Sequence, residues 1–192
     1  MKTIVWDVDD VLNDFMRRWF EDSWLPSHPG CKLRYADIAE NPPHRLLGVS
    51  EKDYLDSLDK FRLSEAAVKM LPAPQVVEWF KANGGNFRHI ALTARPIGAI
   101  PPVSEWVFRH FGIWIRTFHF VPSLRPGQQI PEYDHNKCDY LRWLGKVDVL
   151  VDDNEKNIDE AGSLGIAGVL IKRPWNKSNS SIDEALSLLN RI

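Results

Sequence analysis

An α/β fold is expected: a parallel sheet sandwiched by helices, with a small helical cap inserted after the first strand. Three observations predict it. From about residue 86 onward, short apolar runs alternate with helical stretches, the pattern of a parallel sheet with crossover helices. The segment between the first apolar run and the second is about 70 residues long, far beyond an ordinary βα connection. Three of the apolar runs also end in polar residues suited to catalysis: Asp7, Asp9 and Asp10, then Thr93, then Asp152 and Asp153. The expected division is a core of residues 1–13 and 86–192 and a cap of residues 14–85.

The first strand is read from Thr3-Ile4-Val5-Trp6, an apolar, β-branched run. Asp14 to Trp24 follows as a helix, with Phe15, Trp19 and Phe20 on a period near 3.6. Residues 25–49 carry Pro26, Pro29, Gly30, Pro42, Pro43 and Gly48 and read as irregular, with one short helix near Tyr35–Ala39. Ser50 is a candidate N-cap for a helix from Glu51 to about Lys60. A short helix over Ser64–Met70 comes next. Pro74 to Ala82 is a stronger helix, with proline in its first turn and Gly84-Gly85 as its stop.

His89–Leu92 reads as the second strand, Val103–Phe111 as a helix closed by Gly112, and Thr117–Val121 as the third strand. A loop with Pro122, Pro126, Gly127 and Pro131 leads to a helix from Asn136 to Leu144. Val147–Val151 is the fourth strand, Asn157–Leu164 a helix capped by Gly165, Ala167–Ile171 the fifth strand, and Ile182–Leu189 the last helix.

Composition narrows the function classes. With 192 residues the chain can build one real core, or a core and a small insertion. Its net charge is −2 and it has no basic stripe, which argues against a large nucleic-acid footprint. It has no apolar run of 18 residues and no signal-peptide pattern, so no membrane span is expected and a cytoplasmic location is. Cys31 and Cys138 lack metal-site spacing and suit a reducing compartment; whether they pair is left open.

In a parallel sheet the strand ends gather at one edge, where ligands bind. Asp7 and Asp9 would share a face if the strand continued past Trp6. Carboxylates packed together raise one another's pKa unless a cation or proton intervenes. A hard divalent ion such as Mg²⁺ suits such a cluster. Lys137, at the start of the helix before the fourth strand, would join them.

Taken together, these motifs resemble the haloacid dehalogenase superfamily, which has a Rossmann-like core, and within it the phosphatases. Asp7-Val8-Asp9-Asp10-Val11 matches the first motif, Thr93 the second, Lys137 the third and Asp152-Asp153 the fourth. Lys146 and Lys156 lie too close to the fourth strand end to fit the third motif as well. The resemblance implies Asp7 as nucleophile and Asp9 as general acid and base. It implies Mg²⁺ held by Asp7, the Asp9 backbone carbonyl and Asp153, with Asp152 as ligand or neighbour and Asn157 close by. Thr93, Ala94 and Lys137 would bind the phosphoryl group. Asp9 favours phosphate esters, since the dehalogenase members lack it. A phosphonate-cleaving member would need a cap lysine, and Lys32, Lys52, Lys60 and Lys69 sit in no such motif.

The 5′(3′)-deoxyribonucleotidase type is the subgroup most resembled. The shared features are Val11-Leu12, Asp14-Phe15 and the tail Pro174-Trp175-Asn176. Asp10 departs from it, since that group usually carries Gly there, and Arg95 is an added cation able to meet a second phosphate or a carboxylate. A small phosphorylated substrate is implied, with a nucleoside monophosphate foremost. Trp19, Phe20 and Trp24 could stack on a base, or could fasten cap to core. A non-catalytic phosphate-binding module is the alternative, and Asp9 speaks against it. Polynucleotide ends are a third option, weakened by the missing basic stripe.

Overall fold

The computed structural model describes residues 1–131 and 133–191. In chain order the elements are β1 (Thr3–Trp6), α1 (Phe15–Trp19), α2 (Leu25–Ser27), α3 (Glu51–Arg62), α4 (Glu65–Val68), α5 (Pro74–Asn83), β2 (Arg88–Arg95), α6 (Ile100–Phe111), β3 (Ile115–Pro122), α7 (Lys137–Leu144), β4 (Val149–Asp152), α8 (Glu155–Ser163), β5 (Ala167–Leu170) and α9 (Ile182–Leu189). The five strands form one parallel sheet in the order β3-β2-β1-β4-β5. β1 is central and buried along its length, which is why it reads as a continuous apolar run rather than an alternating one.

The pleat divides its side chains between two layers. Ile4 and Trp6 face the helices α5, α6 and α9, where they pack with Val76, Phe80, Val107 and Leu186. Val5 faces the other layer, with Tyr140, Leu141 and Ala161 of α7 and α8. Trp6 Nε1 donates to His89 Nδ1 at 3.0 Å, and His89 Nε2 lies 2.9 Å from the Gly84 carbonyl. One histidine tautomer therefore satisfies both partners and ties β1 to β2 and to the end of α5.

Most helix starts follow from their caps. Ser50, Asn136 and Ser181 accept the backbone N–H of Asp53, Asp139 and Glu184. Gly145 closes α7 at φ 69°, the left-handed geometry that suits glycine. α6 begins three residues before the expected Val103, because Pro101 and Pro102 occupy its first turn, where no N–H is needed. β2 runs to Arg95 rather than stopping at Leu92, so Thr93 lies inside the strand, in register with Phe120.

A second apolar cluster lies between β1 and α5. Phe15, Trp19, Phe20, Trp24, Ile38, Tyr54, Leu58 and Phe61 pack together there. The first helix passes from α1 into a π-helical turn, Phe20–Trp24, before α2. The wider i→i+5 turn keeps Trp19 and Trp24 on one side, with ring centroids 5.4 Å apart. α5 lies within the expected cap of residues 14–85. Its Trp79 and Phe80 rings pack on Trp6, Val76 joins the same apolar cluster, and the helix leads into β2. Among the described residues no helix is long and apolar enough to cross a membrane, and Cys31 and Cys138 are both free thiols.

Candidate active site

β1 stops at Trp6 and the chain turns. Asp7 continues the sheet by one bond, its N–H donating to the Val151 carbonyl at 2.9 Å. Asp7 and Asp9 therefore do not share the face of a continuing strand, as expected from their spacing; a bend at Val8 redirects them. Asp10 follows at φ 60°, a left-handed conformation that aspartate tolerates better than most residues and glycine adopts freely. Asp10 stays because its carboxyl accepts the Met16 N–H at 3.0 and 3.2 Å, serving the start of α1. Burial pushes its pKa up to about 8, against the pull of Arg173.

Arg173, from the loop after β5, clamps this turn from behind. Its Nε donates to the Asp10 carbonyl at 2.7 Å, Nη1 to Asp14 Oδ1 at 2.7 Å and Nη2 to the Asn13 carbonyl at 3.3 Å. Every one of these contacts spans about 160 residues of sequence, and no local motif announces them.

Asp7, Asp9, Thr93, Ala94, Lys137, Asp153 and Asn157 line one cavity of about 170 Å³. At its floor, Lys137 Nζ lies 2.8 Å from Asp7 Oδ2 and 2.7 Å from Asp152 Oδ2. Asp152 also accepts the Asn154 N–H at 2.9 Å and the Asn157 amide at 3.1 and 3.2 Å. It is fully buried and off the cavity wall, a counter-charge that holds Lys137. Asp153 is on the wall. Its Oδ2 accepts Trp175 Nε1 at 2.8 Å, and its carbonyl accepts the Asn176 amide at 2.8 Å. The Pro174-Trp175-Asn176 tail therefore orients this carboxylate.

The charges do not balance. Three carboxylates, Asp7, Asp152 and Asp153, bring ligand oxygens within 4.8 Å of one another, with one lysine among them. Burial pushes the Asp7 carboxyl well above the ordinary range; Lys137 opposes this and the other two carboxylates add to it. Burial raises Asp153 likewise, with Asp152 and Asp10 adding. Burial works against the Lys137 ammonium, but Asp152 and Asp7 outweigh it and hold its proton beyond the usual lysine range. Such a donor set fits a hard divalent cation, which would supply the missing positive charge.

Asp9 stands apart from the three. Arg95 donates to both its oxygens, Nε to Oδ2 at 2.8 Å and Nη2 to Oδ1. The Arg95 side chain is 4 % exposed and stacks over Phe15, 4.9 Å from the ring centroid. The cation that the sequence offered to a substrate is thus committed to Asp9. Removing one member of a buried pair costs about 3–5 kcal/mol, because the other charge is stranded. Asp9→Ala should lose stability of that order, and Arg95→Met in the same chain should restore most of it. A double-mutant cycle by urea unfolding measures this, and additive losses would contradict the pairing.

Trp19, Phe20 and Trp24 do not reach the cavity. All three are buried in the second cluster; Trp19 Nε1 donates to Ser57 at 3.2 Å, and Trp24 stacks on His28 at 3.7 Å. As a stacking platform for a base they are corrected to packing residues. The rings that line the cavity are Phe15 and Tyr54, and Met16, Asn41, Leu58 and Arg62 complete that wall. Sequence reasoning missed this set. Tyr54, Leu58 and Arg62 recur every four residues on α3, a stripe that reads as core until its last member is an arginine.

The sequence matches no protein-family model and no curated protein. Its fold is similar to that of several solved structures. A haloacid dehalogenase-like hydrolase of Streptococcus pneumoniae aligns over 100 % of this chain and 98 % of its own, with 10 % identity and a TM-score of 0.68. A candidate β-phosphoglucomutase of Thermotoga maritima aligns over the whole of both chains, with 17 % identity and a TM-score of 0.62. A candidate hydrolase of the same superfamily from Bacillus subtilis, solved bound to magnesium, covers 99 % of this chain and 97 % of its own, with 14 % identity and a TM-score of 0.56. The chain has the haloacid dehalogenase-like fold.

Proposed function

We propose that this protein is a Mg²⁺-dependent phosphatase acting on a small phosphomonoester through an aspartyl-phosphate at Asp7. The observation that carries the reading is the cavity floor, where Asp7 and Asp153 face a space flanked by Lys137 and Thr93. The magnesium in the Bacillus structure and the excess of carboxylate here support the same ion. Asp7, Asp153 and the Asp9 carbonyl would hold it. When bound, it supplies charge neutralisation for the phosphoryl oxygens.

Lys137 and Thr93 would fix those oxygens, and Lys137 would screen the substrate's charge from Asp7. Asp7 attacks phosphorus, the ester P–O bond breaks, and protonated Asp9 gives its proton to the leaving oxygen. A water then attacks phosphorus, Asp9 takes the water's proton, and the bond to Asp7 breaks, releasing phosphate. For this, Asp9 must give up at least one of its two Arg95 bonds. That clamp is the one feature favouring a non-catalytic binding protein. The cluster of residues 15–70 would act as the cap, since Phe15, Tyr54 and Arg62 form the cavity's far wall. The nucleoside monophosphate version of this reading now rests on Phe15 and Tyr54 as the rings available.

Phosphate release from nucleoside monophosphates, sugar phosphates and a generic aryl phosphate, with and without Mg²⁺, tests the proposal. Release that requires Mg²⁺ is expected. Phosphate binding with no release from any member would favour the binding module.

A further inference from the structure

Two sets of charged side chains, Arg95 with Asp9 and Arg62 and Arg125 with Asp59, adjoin where Arg95 and Arg62 lie over the Phe15 ring. Arg95 takes both oxygens of Asp9. Arg125, from the loop after β3, takes both oxygens of Asp59, Nε to Oδ2 at 2.7 Å and Nη2 to Oδ1 at 2.9 Å. Each carboxylate thus has its own two-pronged arginine. Arg62 is the surplus cation. Its Nη1 shares Asp59 Oδ1 at 2.6 Å, while its Nε is buried with no partner. The side chain is only 10 % exposed, lies over Phe15 at 5.4 Å and lines the cavity.

An arginine cannot shed its proton to relieve this. Burial and the neighbouring Arg95 charge both disfavour its cationic form. A buried, under-used guanidinium fork at a cavity wall is suited to an oxyanion. We propose that Arg62 receives a second anionic group of the substrate, a carboxylate or a second phosphate, while the cavity floor holds the first. The inference rests on the phosphomonoester reading for what occupies the floor. It restricts the substrate class to phosphomonoesters that carry another anion a few bonds away.

The test uses matched three-carbon probes. Propylphosphonate, 3-phosphonopropanoate and propane-1,3-diyl bisphosphonate are titrated calorimetrically into the Mg²⁺-loaded protein, and turnover of the corresponding phosphate esters is measured in parallel. At least one doubly anionic probe should bind about tenfold tighter than propylphosphonate, or better. In Arg62→Met, which keeps the stem over Phe15, that advantage should fall to about twofold or less. Arg62→Lys, which keeps the charge without the fork, should retain part of it. Equal binding of all three probes by the unaltered protein, or an advantage that survives Arg62→Met, overturns the assignment of Arg62. Arg62-dependent binding with no ester turned over overturns the phosphatase reading instead and leaves the second-anion site standing.

Discussion

Asp7→Asn is expected to lower turnover by about four orders of magnitude or more, since an amide cannot serve as the nucleophile that accepts the phosphoryl group. The same substitution should stabilise the metal-free protein. Asp7 is buried beside Asp152 and Asp153, and its proton is held well above the ordinary range. A carboxyl whose pKa is raised on folding binds more proton folded than unfolded, so its contribution to stability falls as pH rises between the two values. For Asp10 that window runs from the ordinary 3.8 to about 8; Asp7 and Asp153 are shifted the same way. In chelator, the unfolding midpoint of the unaltered protein should therefore drop from pH 5 to pH 8. Asparagine does not titrate, so the variant should drop less and stand higher at pH 8. Mg²⁺ should raise the midpoint of the unaltered protein more at pH 8 than at pH 5, because binding must displace those protons. A midpoint insensitive to both pH and Mg²⁺ would contradict the charge imbalance at the floor.

Lys137→Met should damage both the fold and the activity. Lys137 is buried and holds Asp7 and Asp152 together at 2.8 and 2.7 Å. Removing it leaves both carboxylates facing each other without a cation. A loss of about 3–5 kcal/mol is expected when a buried ion pair is broken in this way. Activity should fall further than stability explains, by about a hundredfold or more, because the cation that steadies the phosphoryl oxygens is gone. Chemical denaturation and kinetics on the folded fraction separate the two losses. Saturating Mg²⁺ should recover part of the stability and little of the activity. A variant as stable as its parent would show that Asp152 is compensated by Asn157 and Asn154 alone.

What was legible in the sequence was local. The β1 run, the apolar run leading to Thr93, the run ending in Asp152-Asp153 and the cap at Ser50 each announce themselves within a few residues. That Asp7, Thr93 and Asp153 reach one cavity then follows from parallel topology. The sequence reading lost accuracy where partners are distant or where two elements share one phase. Arg95 looked free beside the phosphate site, yet Asp9, 86 residues away, occupies it. For Trp19 and Trp24 the sequence left stacking on a base and packing side by side; a π-helical turn with no sequence signature puts both in the packed cluster. The packing of α5 on Trp6 was not legible either, because its aromatic stripe reads the same whether it covers a sheet or a cap helix. Arg62 was missed because nothing local distinguishes it from a solvated helix-end arginine; that it only shares Asp59 appears once Arg125 is seen to take both of that carboxylate's oxygens.

The central claim, that Asp7 is a nucleophile, is tested most directly by looking for the covalent intermediate. The Mg²⁺-loaded protein would be mixed with the best ester of the panel, quenched in acid during steady-state turnover, digested and examined by mass spectrometry. A phosphoryl group is expected on the peptide that contains Asp7, absent from Asp7→Asn and lost on treatment with hydroxylamine. Rapid turnover with no phosphorylated peptide, or a phosphoryl group on another residue, would contradict it.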